Sequence, residues 1–304
     1  MSQEGTGTTV MHRTAGAPIS WGVCEVPGWG IQLPVERVLR EMSEVGLRAT
    51  ELGSVGYLPT DPDELLEMLS TFGLTLTGGF NALPLADISA AETALDLVRS
   101  SARLLAAAGA TDYVTCVVSD PDDWQRIRLA DEQWLHMYDM FDRIDDIVEP
   151  MGLTQVLHPH VGSLIENADE VQRVLDNSDV GWVLDTGHLL IGGYDPVTFA
   201  EKYGDRVHLV HLKDIESAIA ALLNAEELSL MEAVQAGLFV PLGAGAASIE
   251  TVVRTMESQG FDRWYVIEQD AAITTGEPPE GDGPIRDVLE SVTFIRNLDD
   301  ELSG

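Results

Sequence analysis

The chain has 304 residues, 45% of them hydrophobic and 22% charged, a composition that supports a sizeable core. Its 17 Lys and Arg against 51 Asp and Glu give a formal charge of −34 at pH 7, which excludes general affinity for nucleic acid or an anionic membrane surface. Two cysteines, Cys24 and Cys116, are too few for a disulfide framework or a Cys-rich zinc site, and no apolar run reaches the 18 residues of a membrane span.

The first 16 residues contain the polar run MSQEGTGTTVMHRT, without the apolar stretch of a secretory signal, and read as a disordered tail of a cytoplasmic protein. From there short β-rich runs alternate with longer amphipathic ones. A strand over 17–23 precedes a helix over 34–46, which opens on Pro34 and stops at Gly46. A strand over 48–53 precedes a helix over 61–73, acidic at its start and closed by Gly73. The alternation continues with strand 74–80, helix 90–109, strand 113–118, helix 131–150, strand 154–160 and helix 167–177. It ends with strand 180–188, helix 195–204, strand 207–214, helix 247–260, strand 264–270 and helix 284–298.

Strict alternation implies parallel strands with helical crossovers. Eight such units point to an α/β fold, a (β/α)₈ TIM barrel, in one catalytic domain over 17–304. The competing open doubly wound sheet calls for a G-x-G-x-x-G turn, and the chain has none. Residues 215–246 and 271–284 exceed ordinary connections and follow the seventh and eighth strands, the side on which barrels build their sites, so both are expected to be lids.

Groups able to bind metal or move protons gather at the strand ends: Glu51, then His158 and His160, Asp185 and His188, His211 and Lys213, Glu268 and Asp270. Alternation puts i and i+2 on one side, so His158 shares a face with His160, His211 with Lys213 and Glu268 with Asp270. Imidazole and carboxylate together suit a divalent ion such as Mn²⁺, Co²⁺, Fe²⁺ or Zn²⁺. Each residue also has a structural reading: Asp185 before Thr-Gly can cap a turn, and Glu268 can serve a helix N-terminus. Lys213 is one of only two lysines; it is expected to polarise a carbonyl or to act in proton transfer through a shifted pKa. The Trp21-Gly22 and Trp29-Gly30 pairs are candidates for an aromatic wall against a substrate, and equally for packing. Gly78-Gly79-Phe80 and the Gly243-x-Gly245 loop are places where a ligand could approach the backbone.

The stretches APISWGVCEVPGWG, ELGSVGYLPTDPDEL, LTGGFNAL, LHPHVG, LDTGH, HLKD, GLFVPLGAG and VIEQD, in that order over roughly 17–300, resemble inosose dehydratases of myo-inositol catabolism, within the xylose-isomerase-like barrels. The resemblance implies a divalent cofactor, Mn²⁺ or Co²⁺, and loss of water from a keto-inositol such as scyllo-inosose to give a dione. It implies metal ligands Asp185, His211 and Glu268, with His158 in place of the Glu that the superfamily carries on the fifth strand, and leaves His160 as an alternative ligand. A second departure is Ala244, where related sequences tend to have an acid. Glu51, His160 and Lys213 are then the candidates for acid, base and oxyanion stabiliser, and Trp21, Trp29, His188 and Asp270 for substrate contacts. The expected partner is a small neutral polyol, with no nucleic acid and no membrane; association into a homo-oligomer is compatible with the sequence. The same metal chemistry also serves a sugar isomerase or epimerase and a 3-keto-glycoside lyase, and a non-catalytic sugar-binding barrel is the reading without chemistry.

Overall fold

The computed structural model describes residues 9–304. Its strands are β1 (Thr14–Gly16), β2 (Ala49–Thr50), β3 (Thr75–Leu76), β4 (Gly78–Leu83), β5 (Asp112–Val117), β6 (Thr154–Leu157), β7 (Gly181–Asp185), β8 (Val207–Leu212), β9 (Asp214–Ile215), β10 (Phe239–Val240) and β11 (Tyr265–Ile267). All but β9 and β10 form one sheet in the order β3-β2-β1-β11-β8-β7-β6-β5-β4, parallel throughout. The two ends of that order, β3 and β4, are one strand interrupted at Thr77. The Thr77 N–H donates to the Thr50 carbonyl (3.0 Å), and the Thr77 carbonyl accepts from the N–H groups of Thr111 (2.9 Å) and Asp112 (3.0 Å). The ladder therefore passes through the break, and eight staves close into a barrel.

The helices are α1 (Val35–Glu44), α2 (Pro62–Thr71), α3 (Ala91–Ala107), α4 (Asp131–Val148), α5 (Ala168–Asn177), α6 (Thr186–Ile191), α7 (Pro196–Tyr203), α8 (Ser217–Asn224), α9 (Leu230–Gln235), α10 (Ile249–Ser258) and α11 (Pro284–Ser303). Local chemistry sets their ends. Asp61 accepts the N–H groups of Asp63 and Glu64 at the start of α2, and Asn167 and Glu170 cap α5 reciprocally. After α1 and α2 the chain turns at Gly46 (φ 94°) and Gly73 (φ 67°), a left-handed conformation that glycine adopts without steric cost. Among the described residues no helix is long and apolar enough to cross a membrane.

Apolar side chains form three clusters. The largest fills the layer between staves and helices, with Trp21, Met42, Phe141, Trp182 and Tyr265 fully buried in it. A small one lies inside the barrel, from Ala15, Ala17, Ala49, Val114, Val156, Val183, Leu209 and Val266. The third, around Trp29, Val161, Ile191, Ile215, Leu238 and Phe239, lies under 215–246.

Several expectations are corrected. Residues 9–16 are ordered, and β1 lies within the stretch expected to be a tail; residues 1–8 lie outside the described residues. Pro18 has no N–H for a ladder, and Pro18–Trp21 is a 3-10 turn, not the first strand. The expected strand 180–188 ends at Asp185, and Thr186-Gly187-His188 opens α6. The expected strand 154–160 ends at Leu157, although the His158 N–H still donates to the Thr115 carbonyl (2.8 Å). Residues 215–246 form a small subdomain, α8 and α9 with the antiparallel β9–β10 pair. Residues 271–284 are not a free lid. Arg37, buried on α1, donates to the carbonyls of Pro278 (2.6 Å) and Pro279 (2.8 Å) and pairs with Glu41 (2.9 Å).

The glycines of both candidate loops serve the backbone. A Cβ on Gly78 would meet the Asp112 carbonyl oxygen at 2.7 Å, so Gly78 lets β4 approach β5. The Asp214 carboxylate accepts the N–H groups of Gly243 (2.9 Å), Gly245 (3.0 Å) and Ala247 (2.9 Å), which wraps that loop around a buried acid, not around a ligand. Ala244 is exposed on it.

Candidate active site

The residues at the C-terminal ends of β6, β7, β8 and β11 converge at one point. His158 follows β6, Asp185 ends β7, His211 is in β8 and Glu268 follows β11. One donor atom from each lies within 4.8 Å of all the others. His158 Nε2 is 3.1 Å from His211 Nδ1 and 3.4 Å from Asp185 Oδ2. His211 Nδ1 is 3.7 Å from Asp185 Oδ2 and 2.8 Å from Glu268 Oε2. Two donors of one ion at about 2.1 Å, separated by 90–109°, lie roughly 3.0–3.4 Å apart, so these spacings fit a shared divalent cation.

The hydrogen-bond inventory agrees. Asp185 Oδ1 accepts the His188 N–H (2.7 Å) and caps α6, while Oδ2 is buried with no hydrogen bond. The capping reading of this residue therefore uses one oxygen and leaves the other free for a ligand. Glu268 Oε2 is likewise buried and makes no hydrogen bond of proper geometry. Asp185 Oδ2, left without a hydrogen bond in a dry site, is costly unless a cation sits beside it, whereas Glu268 Oε2 already faces the Lys213 ammonium at 3.1 Å. Burial opposes ionisation of Glu268, but His211 and Lys213 beside it hold its pKa well below the carboxylate range; burial likewise opposes ionisation of Asp185, and Lys213 and His158 lower its pKa.

Glu51 lies behind the cluster, not over it. Its Oε1 is 3.1 Å from His211 Nε2, the ring nitrogen turned away from Glu268. Burial opposes a charged His211, but the carboxylates of Glu268 and Glu51 raise its pKa well above the usual value. A carboxylate on the far nitrogen of a ligand His orients the ring and strengthens it as a donor. Glu51 thus contacts the back of His211, a placement the strand-end pattern does not reveal.

His160 and His188 stack with ring centres 3.9 Å apart. His160 Nδ1 is 2.7 Å from the Val161 carbonyl, which can only accept; Nδ1 therefore carries the proton and Nε2 the lone pair. Burial and the neighbouring His158 and Lys213 lower the His160 pKa to about 3, so the ring is neutral. Burial and His160 push His188 the same way.

Lys213 is fully buried, 2.7 Å from Asp270 Oδ1, 3.1 Å from Glu268 Oε2 and 3.2 Å from His188 Nε2. Burial disfavours its charge, yet Asp270, Glu268 and Asp185 raise its pKa above the ordinary value. The three carboxylates favour its ammonium form, which suits charge stabilisation. Burial raises the Asp270 pKa to about 6 against the opposing pull of Lys213.

The two tryptophans separate. Trp21 is fully buried in the helix–barrel layer, where its indole N–H donates to Glu41 (2.9 Å); it does not line the mouth. Trp29 packs in the cluster under 215–246 and donates to the Ala271 carbonyl (2.8 Å). The aromatic wall comes from residues that the Trp-Gly pairs do not indicate: Phe80 packs edge-on to His158 (5.7 Å), and Trp124 packs against Phe80 (6.1 Å) and His160 (5.1 Å). The one sequence signal for Trp124 is a lone aromatic in the polar run SDPDDWQR after the fourth stave.

A closed barrel with a largely buried His/Asp/His/Glu cluster at its C-terminal mouth is the arrangement of a barrel enzyme whose site could hold a divalent ion. Residues 39–298 match the xylose isomerase-like TIM barrel family, and the chain belongs to it. It is 32% identical to the inosose dehydratase of Geobacillus kaustophilus strain HTA426, over 84% of this chain and 87% of that one. It is 30% identical to the rhizopine catabolism protein MocC of Rhizobium meliloti, over 83% and 79%. Among solved structures the IOLI protein, crystallised with a zinc atom, shares the fold at a TM-score of 0.68, with 15% identity over 95% of this chain and 98% of that one. The chain is an inosose dehydratase-like hydro-lyase.

Proposed function

We propose that this chain removes water from a keto-inositol such as scyllo-inosose, giving a trihydroxycyclohexanedione, as a cytoplasmic enzyme of myo-inositol catabolism that requires a divalent ion. The observation that carries the reading is the convergence of one donor atom each from His158, Asp185, His211 and Glu268 within 4.8 Å, with Asp185 Oδ2 buried and without a hydrogen bond. His158, Asp185, His211 and Glu268 would hold the ion. Two nitrogen and two oxygen donors suit a transition metal better than Mg²⁺ or Ca²⁺, and the resemblance to inosose dehydratases points to Mn²⁺ or Co²⁺ among them. When bound, the ion supplies a Lewis acid for the ketone and a neighbouring hydroxyl.

The residues divide the elimination between them. A proton leaves the carbon beside the ketone, the C–O bond on the next carbon breaks, and hydroxide departs with a proton as water. His160, whose Nδ1 proton is held by the Val161 carbonyl and whose Nε2 lone pair is free to accept, is the candidate base. Protonated, it is placed to return that proton to the leaving hydroxyl. Lys213, whose ammonium form the carboxylates favour in a dry site, opposes the negative charge that develops on the carbonyl oxygen. Phe80 and Trp124 exclude water and offer an apolar face to the C–H side of a ring. The absence of a basic cluster among these residues suits a neutral polyol and not a sugar phosphate.

The test is incubation of chelator-treated protein with scyllo-inosose, with and without Mn²⁺ or Co²⁺, following the ultraviolet absorbance of the dione. Metal-dependent growth of that band is expected. Epimerised sugar without a dione, cleavage of a 3-keto-glycoside instead, or no turnover with any ion would replace the reading by an isomerase, a glycoside lyase or a binding barrel.

A further inference from the structure

We infer that Lys213 and Asp270 form a buried pair that sets how tightly the four-residue cluster holds its ion; the inference rests on the metal site proposed above. The cluster contains two anions, Asp185 and Glu268, because the other two donors are imidazoles. Both anions face the Lys213 ammonium with the same oxygen that faces the cluster. Lys213 Nζ is 3.1 Å from Glu268 Oε2 and 4.0 Å from Asp185 Oδ2. An ion bound there shares both of its anionic donors with a fixed positive charge.

Solvent does not screen that competition, because Lys213, Asp185 and His211 are all buried. Asp270 moderates it. It is not one of the four donors, yet it makes the shortest ion pair of Lys213, at 2.7 Å. The ring of Phe239, on β10, lies 4.8 Å from the same ammonium. Asp270 thus draws the ammonium toward itself and away from the donors, and its charge offsets the repulsion felt by the ion. Lys213 weakens ion binding, and Asp270 restores part of it. Toward the ion the two residues therefore act as positioning residues with opposite signs, separately from the oxyanion role proposed for Lys213.

The test measures the dissociation constant of Co²⁺ or Mn²⁺ for the full chain by competition with a chromophoric chelator. Wild type is compared with Lys213→Met and Asp270→Asn, with circular dichroism and Tm as controls on folding. Lys213→Met is expected to bind the ion roughly tenfold or more tightly, and Asp270→Asn roughly tenfold or more weakly. General damage to the site would weaken both, so the opposite signs are diagnostic. Should Lys213→Met fail to fold, Lys213→Gln, which also removes the ammonium, takes its place in the comparison. Unchanged or tighter binding in Asp270→Asn, or weaker binding in a folded Lys213→Met, overturns the inference and leaves the metal site standing. A wild-type chain that binds neither ion overturns the metal site itself, and the inference with it.

Discussion

Asp185 shows how one side chain serves fold and site together. Oδ1 caps α6 through the His188 N–H, and that bond aims Oδ2 at the cluster. Glu51 is the complementary case, a residue that contacts the back of the His211 ring. Glu51→Gln keeps the shape but removes the charge behind His211. Affinity for the divalent ion is expected to fall about 10–100-fold. Calorimetric titration with Co²⁺ checks this; wild-type affinity would return Glu51 to the acid–base role that its strand-end position suggests. Asp112 tests the opposite end of the barrel. Burial raises its pKa to about 6, Oδ2 accepts from Thr111 (2.6 Å), and Oδ1 is buried without a partner. A raised carboxyl pKa means the folded state holds the proton more tightly than the unfolded one. The contribution of Asp112 to stability is therefore favourable at low pH and is lost as pH rises from about 4 through 6. Asp112→Asn is expected to stabilise the protein at pH 7 by about 1–3 kcal/mol and to flatten that slope, as measured by urea unfolding at pH 4.5 and 7.

At the scale of elements, the site depends on loops held from outside the barrel. Arg37 and Glu41 on α1 bind the segment after β11 at Pro278, Pro279 and Gly281, and Glu41 also accepts from Trp21. Arg37→Met leaves Glu41 buried without its cation and frees two carbonyls. A loss of about 3–5 kcal/mol is expected, read as a fall in the urea midpoint with the m-value unchanged. A loss below about 1 kcal/mol would show that the strap is held elsewhere. This strap also marks where sequence reading stops. The strand-end groups are legible as a set because most end or follow a β-rich run, and a parallel barrel gathers such positions at one mouth; which four of them would hold an ion is implied only by the resemblance. The fold is legible for the same reason, since a helical period follows each run. The tertiary partner of a loop is not. Nothing local in GEPPEGDG announces Arg37, some 240 residues away, and nothing in WGVCEVPGWG says that Trp21 turns to α1 while Trp29 turns to the β11 loop. Pro18 reads as part of an apolar run, yet its missing N–H ends the strand before it begins.

At the scale of the whole molecule, charge is the dominant fact. Among the described residues only Glu41, Glu51, Asp112, Asp185, Asp214 and Asp270 are buried acids, so most of the −34 lies on or near the surface. Self-repulsion of that size is relieved by counterions, with a screening length of about 8 Å at 0.15 M salt and about 3 Å at 1 M. Tm is expected to rise steadily from low salt to about 1 M KCl, each kcal/mol of relief adding roughly 2–4 °C in domains slightly smaller than this one. A flat or falling Tm in a KCl series would mean that surface repulsion does not limit stability. The buried site is insulated from this effect, so the ion it holds decides the account. The direct measurement is an anomalous difference map at the cobalt edge from crystals grown with Co²⁺. One peak is predicted, within about 2.0–2.3 Å of His158 Nε2, Asp185 Oδ2, His211 Nδ1 and Glu268 Oε2 together. A map with no peak among those four atoms, or with the peak on His160 or Asp270 instead, would contradict it.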